Sequence, residues 1–240
     1  MENDGIRCAV NATMSPEMPY AVNYHKWVFS SFERYLKNNA ATLEIGAGHS
    51  GYTRLLRSIS NRVIASDMDR NVVDSLTREF EAVQGIEVIQ MDGIEENKLR
   101  THVDNIVAIN ILEHIEDDMA FIKKSHSALN KGGVFVIFVP AFPLLFSIMD
   151  KQAGHCRRYR KRQLEHALTK NGFTVIHSQY FNFIGFWGWL LNKISGSGLN
   201  SNAVGLQIML FDKLAWMFKK AEKLTFICGQ SIILIGEKKP

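Results

Sequence analysis

The hydrophobic pattern changes period along the chain, and the changes mark its elements. Across residues 20–38, Tyr24, Trp27, Val28, Phe32, Tyr35 and Leu36 recur at roughly i, i+3, i+4 spacing, which predicts an amphipathic helix. Five apolar runs of strand length follow: ATLEIG (41–46), NRVIASD (61–67), IEVIQMD (86–92), VDNIVAIN (103–110) and GGVFVIFVP (132–140). Helical patterns near 52–58, 70–81 and 117–129 lie between them. Strands that are apolar on both faces and separated by helices predict a parallel sheet covered on both sides. Beyond a loop at 141–159, a helix over 161–170 ends at Asn171-Gly172, a fitting left-handed cap. FTVIHSQYFN (173–182) and SIILIGEKK (231–239) read as a sixth and a last strand. Between them stands an apolar insertion, 184–229, with the Gly/Ser/Asn-rich stretch SGSGLNSN and a helix over about 203–224. Residues 1–19, polar and broken by Pro16 and Pro19, read as a flexible segment ahead of a single domain spanning 20–240.

Open sheets of this kind bind ligands in the crevice outside the carboxyl ends of their strands. The polar clusters fall at the predicted strand exits: Glu44 to Gly51 after the first strand, Asp67 after the second, Asp92 after the third, Asn110 to His114 after the fourth. Gly46, Gly48 and Gly51 have the spacing G-x-G-x-x-G, which by itself fits a nicotinamide dinucleotide or S-adenosylmethionine. Asp67, 21 positions after Gly46, suits the ribose hydroxyls of either. Glu44 discriminates. A carboxylate in a packed sheet is costly without a cationic or hydrogen-bonding partner. S-adenosylmethionine brings an ammonium and a sulfonium, whereas a pyrophosphate would be repelled. Asp92, with Gly93 alongside, is placed to accept from an adenine amino group. The plain alternative for each acid is a helix cap or a solvated turn.

Composition narrows the class. With 240 residues, 46% hydrophobic and 22% charged, the chain suits one large α/β domain with its own core. The formal charge of +4 sits mostly in RRYRKR (157–162) and the C-terminal lysines, a local affinity for anions and not the footprint of a nucleic-acid binder. Cys8, Cys156 and Cys228 form no C-x-x-C pair, which suggests neither a disulfide framework nor a zinc site. No metal is expected. There is no apolar leader, and FNFIGFWGWLL (181–191) falls well short of the ~20 residues that span a bilayer. A cytoplasmic chain without an integral membrane span is the expectation.

At these residues the chain resembles the class I S-adenosylmethionine-dependent methyltransferase family. LEIGAG resembles its glycine motif, IASDMD its ribose acid, QMDG its adenine site, and NIVAINILEHIEDD its D-x-V-x-x-x-x-x-L-E-H-x-x-D segment. The resemblance implies a Rossmann-like, doubly wound, mostly parallel seven-stranded sheet with an antiparallel last strand, an N-terminal helix, and the apolar helical insertion before that strand. It implies S-adenosylmethionine as cofactor and S-adenosylhomocysteine as product. The cofactor would be held by Glu44, Gly46, Ala47, Gly48, Asp67, Met68, Asp92, Gly93, Asn110 and Leu112. A narrower similarity, in DKQAGHCRRY (150–159), is to bacterial methyltransferases with a G-H-x-R-R-Y segment, associated with polysaccharide, lipid or secondary-metabolite pathways. The sequence departs by Arg160, where a capping Ser or Thr is usual, and by His49 in the glycine turn.

Methyl transfer to a hydroxyl needs alignment, desolvation and a base. His155, Tyr159 and His114 are the catalytic candidates, histidine preferred because its pKa lies near working pH. Arg157 and Arg158, with His25 and Tyr24, are candidates to bind the acceptor, and guanidinium pairs suit a phosphate or carboxylate. The bland reading pairs the arginines with Asp150 or Asp118. The aromatic insertion suits a greasy pocket lid, a homodimer surface or peripheral membrane contact. The expected reaction is O-methylation of a small-molecule, lipid-like or glycan-linked acceptor. The alternatives are C- or N-methylation of a secondary metabolite, a non-catalytic S-adenosylmethionine-binding regulator, or an NAD-dependent oxidoreductase. Glu44 and the LEH segment argue against the last.

Overall fold

A computed structural model describes residues 21–196, 202–219 and 227–239. The predicted flexible segment 1–19 lies outside them, as does most of the Gly/Ser/Asn-rich stretch. Among the described residues one seven-stranded sheet has the order β3-β2-β1-β4-β5-β7-β6. The strands are β1 (Ala41–Ile45), β2 (Arg62–Asp67), β3 (Ile86–Gln90), β4 (Val103–Ile109), β5 (Leu129–Pro140), β6 (Phe173–Phe181) and β7 (Ser231–Lys238). β1 to β5 pair in parallel, and β7 runs antiparallel between β5 and β6, as expected for the last strand.

Period-2 alternation sends the strands' apolar residues to two cores. Leu43, Ile64, Ile106, Phe135, Ile137 and Leu234 pack beneath α4 (Asp118–Ala128) and α6 (Lys161–Lys170). Val63, Val107, Val136, Phe138 and Ile233 pack on the other face against α1 (Val22–Phe32) and α8 (Asn202–Phe218). α1 buries Trp27, Val28, Phe29 and Phe32, and a 3-10 turn at Glu33–Tyr35 ends it earlier than the predicted residue 38. α2 (Thr53–Arg57) and α3 (Arg70–Phe80) lie where the pattern put them, α3 capped by Asp69 accepting from the Asn71 amide.

Two expectations need correction. Within the predicted loop 141–159, Ser147 and Asp150 form a capping box that starts a short helix, α5 (Ile148–Gln152). The insertion holds a further helix ahead of α8: α7 (Phe183–Ser195), capped by Asn182, whose side chain accepts from the Gly185 amide at 2.7 Å. Arg160 starts α6 without a side-chain cap, as its substitution for Ser or Thr implied. The described part of the insertion is half packed and half bare. Phe211 stacks on Trp27, while Trp187, Leu191, Ile194 and Trp216 are 50% to 75% exposed. No helix among the described residues is long and apolar enough to cross a membrane.

The strand order reverses between β1 and β4, so their carboxyl ends open the crevice where such sheets bind ligands.

Candidate active site

The glycine turn leaves β1 by curling over β2: the amides of Gly46 and Ala47 both donate to Ser66 O, at 2.8 and 2.9 Å. Gly46 (φ +72°) has no room for a side chain, since a Cβ would stand 2.1 Å from Ile111 Cδ1. The turn backbone is thereby pressed against the loop that follows β4. Asp67 accepts from the Gly48 amide at 3.1 Å with one oxygen and from the Asp69 amide at 3.0 Å with the other. A carboxylate has about four lone-pair sites, so two amides fix it in place and leave acceptors for two hydroxyls. Met68, beside it, is 41% exposed. Asp92 is exposed at the end of β3, its amide donating to Glu95, with Gly93 in a left-handed conformation.

Glu44 is buried beneath the turn and accepts from the Thr53 hydroxyl at 2.6 Å. Burial pushes its carboxyl up to about 8; the Thr53 bond opposes this and the Asp67 charge adds to it. His25 of α1 covers the turn, its ring 2.7 Å from where a Gly51 Cβ would be and 5.0 Å from the Tyr52 ring. Burial holds His25 below the usual imidazole range, with Asp212 opposing. Tyr24 turns the other way and meets Trp27, Phe181 and Phe211 edge-on. A cavity of about 240 Å³ opens between α1 and α8, lined by Trp27, Asp212 and Trp216 with three lysines, and none of the strand-end residues lines it.

The loops after β4 and β5 are stitched together. Asn110 takes a left-handed conformation (φ +53°), and a 3-10 turn, Leu112–His114, follows. The Cys156 amide donates to Glu113 O at 2.7 Å, and the Tyr159 hydroxyl lies 2.9 Å from Leu112 O and 3.1 Å from Asp118. Arg157 donates to Asp118 and to Glu116 O. Arg158 is buried, donating to Asp150 at 2.7 Å and to Ala141 O, with its guanidinium 4.5 Å above the Trp189 ring. Both arginines thus have protein partners, and Arg158 offers a ligand no open face. Burial, then the Asp118 charge, drives the Tyr159 hydroxyl above its ordinary range, which disfavours it as a base. Leu112 is wholly buried, so only its main chain can meet a cofactor.

His155 is held by the β5 loop itself. Its Nδ1 lies 2.9 Å from Asp150 Oδ1. Burial raises the Asp150 carboxyl, but the His155 hydrogen bond and the Arg158 charge outweigh it and hold Asp150 below the usual range. An ionised Asp150 makes Nδ1 the donor. His114 stands edge-on to His155, ring centroids 4.9 Å apart, its Nδ1 3.2 Å from Gly154 O. Sequence reasoning passed over Glu113, which the LEH segment had spelled out. It is wholly buried, and burial pushes its carboxyl up to about 7 against the pull of His155.

The chain is similar to known proteins in sequence and in fold. Residues 20–178 match the family described as a methyltransferase domain. The chain is 26% identical over 136 residues to a "probable S-adenosylmethionine-dependent methyltransferase" of Mycolicibacterium smegmatis, covering 55% of this chain and 51% of that one. The chain thus spans about half the length of that curated relative. An S-adenosylmethionine dependent methyltransferase from Mesorhizobium loti shares the fold with a TM-score of 0.63 at 14% identity, over 88% of this chain and 98% of the other. So does an N-methyltransferase of Bradyrhizobium japonicum solved with S-adenosylhomocysteine: TM-score 0.59, 14% identity, 95% and 94% covered. The matched region takes in the glycine turn, Asp67 and the LEH segment, and a buried Glu44 beneath a turn too tight for a side chain fits a cationic methionine end. The chain belongs to the methyltransferase-domain family.

Proposed function

We propose that the protein methylates a hydroxyl of a small-molecule, lipid-like or glycan-linked acceptor, with His155 as base. The observation that carries this reading is the Asp150–His155 hydrogen bond, which orients the imidazole with its basic Nε2 away from Asp150. S-adenosylmethionine, when bound, supplies an electrophilic methyl group for in-line displacement. The rest is done by this chain's own residues. Glu44 faces the ammonium and is stabilised as a carboxylate by it. Asp67, preset by two amides, accepts from the ribose hydroxyls, with Met68 beside the adenine. Asp92 and Gly93 take the adenine amino group. Gly46, Ala47 and Gly48 let the backbone approach, and Asn110 and the Leu112 main chain line the methionine end. His25 closes over the glycine turn and excludes water, while Tyr24 shapes the wall behind it.

An anionic group on the acceptor would meet Arg157, whose side chain is 36% exposed, and Arg158 holds the Asp150–His155 pair in place. The bare apolar residues of α7 and α8 suit a greasy acceptor carried at a membrane surface, or a second copy of the chain. C- or N-methylation, or a non-catalytic S-adenosylmethionine-binding role, would leave His155 without this duty.

The test has two stages. Calorimetry should show micromolar S-adenosylhomocysteine binding that is weakened at least tenfold in Asp67→Ala, with no binding of NADH. Methyl transfer from labelled cofactor is then screened over hydroxylated lipid-like and anionic acceptors, with His155→Ala alongside. Turnover unaffected by His155→Ala refutes the base assignment, and NADH binding alone refutes the cofactor reading.

A further inference from the structure

The Glu113 carboxylate sits in the interior with neither oxygen hydrogen-bonded. Buried polar groups are nearly always partnered, and an orphan points to strain, chemistry or a missing ion. Protonation alone does not resolve it, because the nearest acceptor, His155 Nε2, stands 3.9 Å away, beyond hydrogen-bond reach. The surroundings suggest what is missing. Glu113, His114 and His155 each offer one ligand atom, and these atoms all lie within 4.8 Å of one another. The Glu113 Oε1 to His155 Nε2 distance is 3.9 Å.

The histidines are already prepared as ligands. Asp150 accepts from His155 Nδ1, so Nε2 carries the lone pair. Gly154 O is a carbonyl and only accepts, so His114 Nδ1 is its donor and the lone pair lies on that ring's Nε2. A carboxylate or backbone carbonyl behind each imidazole is the usual outer-shell support of metal-binding histidines. The backbone bond from Cys156 to Glu113, with the Tyr159 hydroxyl at Leu112 O, fixes the two loops that carry the set.

We propose that Glu113, His114 and His155 form a binding site for a divalent transition-metal cation. Two imidazoles and one carboxylate suit Zn²⁺, Co²⁺ or Mn²⁺, and a three-ligand site keeps a position open for an exogenous oxygen. Bonds of about 2.0–2.2 Å place neighbouring ligand atoms roughly 3.0–3.5 Å apart, so the set closes by about an ångström of side-chain movement. The assignment departs from the sequence expectation of no metal. It stands on these three side chains and does not require the methyltransferase reading. The base role of His155 Nε2 then belongs to the chain without the cation.

The test uses the untagged full chain, stripped with chelator and dialysed. Zn²⁺ is followed by calorimetry, and Co²⁺ by its visible absorption, which reports coordination number and nitrogen ligation. The expected result is one ion per chain, with affinity at least tenfold weaker in Glu113→Gln and in His155→Ala. Cooperative urea unfolding checks that each variant is folded, and S-adenosylhomocysteine binding, which draws on the ends of β1 to β4, reports separately on the cofactor reading. A wild-type chain that takes up neither ion overturns the proposal whatever the variants do. So does binding that survives both substitutions.

Discussion

On the proposed reading, Glu44 couples stability to cofactor binding in a way that can be measured. In the unfolded chain its carboxyl titrates near 4.5, and in the fold near 8. Between these values the native state holds almost one proton more than the unfolded chain, so stability falls as pH rises, by about 1.4 kcal/mol per pH unit. At pH 7, two and a half pH units above 4.5, the accumulated loss is on the order of 3 kcal/mol. Below 4.5 none of it is felt, and above 8 it levels off. Glu44→Gln keeps the shape and an acceptor for Thr53 but cannot ionise. The variant without cofactor is therefore more stable than wild type at pH 7 by up to about 3 kcal/mol, with a difference that grows from pH 6 to pH 8. Urea unfolding of both proteins at pH 6, 7 and 8 measures this directly. The same variant loses at least tenfold in S-adenosylhomocysteine affinity. Binding to wild type at pH 7 releases a proton as the ammonium draws Glu44 into its charged form, seen as a calorimetric enthalpy that changes with the buffer. Parallel pH profiles of the two proteins would refute the reasoning, for they would mean that Glu44 is ionised in the native state throughout.

Other perturbations separate the remaining forces. Gly46→Ala forces a left-handed alanine, costing about 1–2 kcal/mol, and adds the collision with Ile111. Urea unfolding of Gly46→Ala with Ile111→Ala should recover the collision and not the backbone cost. Arg158→Ala leaves Asp150 buried without its cation, with only His155 and Ser147 as partners, and should lower stability by about 3–5 kcal/mol in denaturant unfolding, whereas Asp150→Asn with Arg158→Met should recover most of it. Asn182→Ala removes the α7 cap and strains a left-handed residue, for about 1–2 kcal/mol by thermal unfolding. Asn182→Gly should lose less, because it keeps the backbone conformation.

The sheet was legible because its strands are apolar on both faces, and Glu44 and Asp67 were legible because an acid at a strand exit stands out. Less was visible where structure depends on distant partners. α5 is one turn long, too short for any period, and only its capping box marked it. β5 begins at Leu129, directly after α4, where Gly132-Gly133 suggested a later start. The arginines of the R-R-Y segment look alike in sequence, yet one is buried on Asp150 and Trp189 and the other sits at the surface on Asp118. That Glu113 and His114 meet His155, 41 positions beyond His114, follows from two loops crossing at one rim, which no local pattern encodes.

The position of β7 has a consequence for how the chain is made. Synthesis proceeds toward the carboxyl end, yet the final strand lies between β5 and β6 and supplies both with their neighbour. Until residues 231–238 emerge, two strands present bare edges, the sort of surface that pairs with other chains. The nascent protein must therefore wait for its last strand before either edge is sealed. Chaperone demand and misassembly should concentrate in that interval, and stop codons upstream of β7 should yield insoluble products.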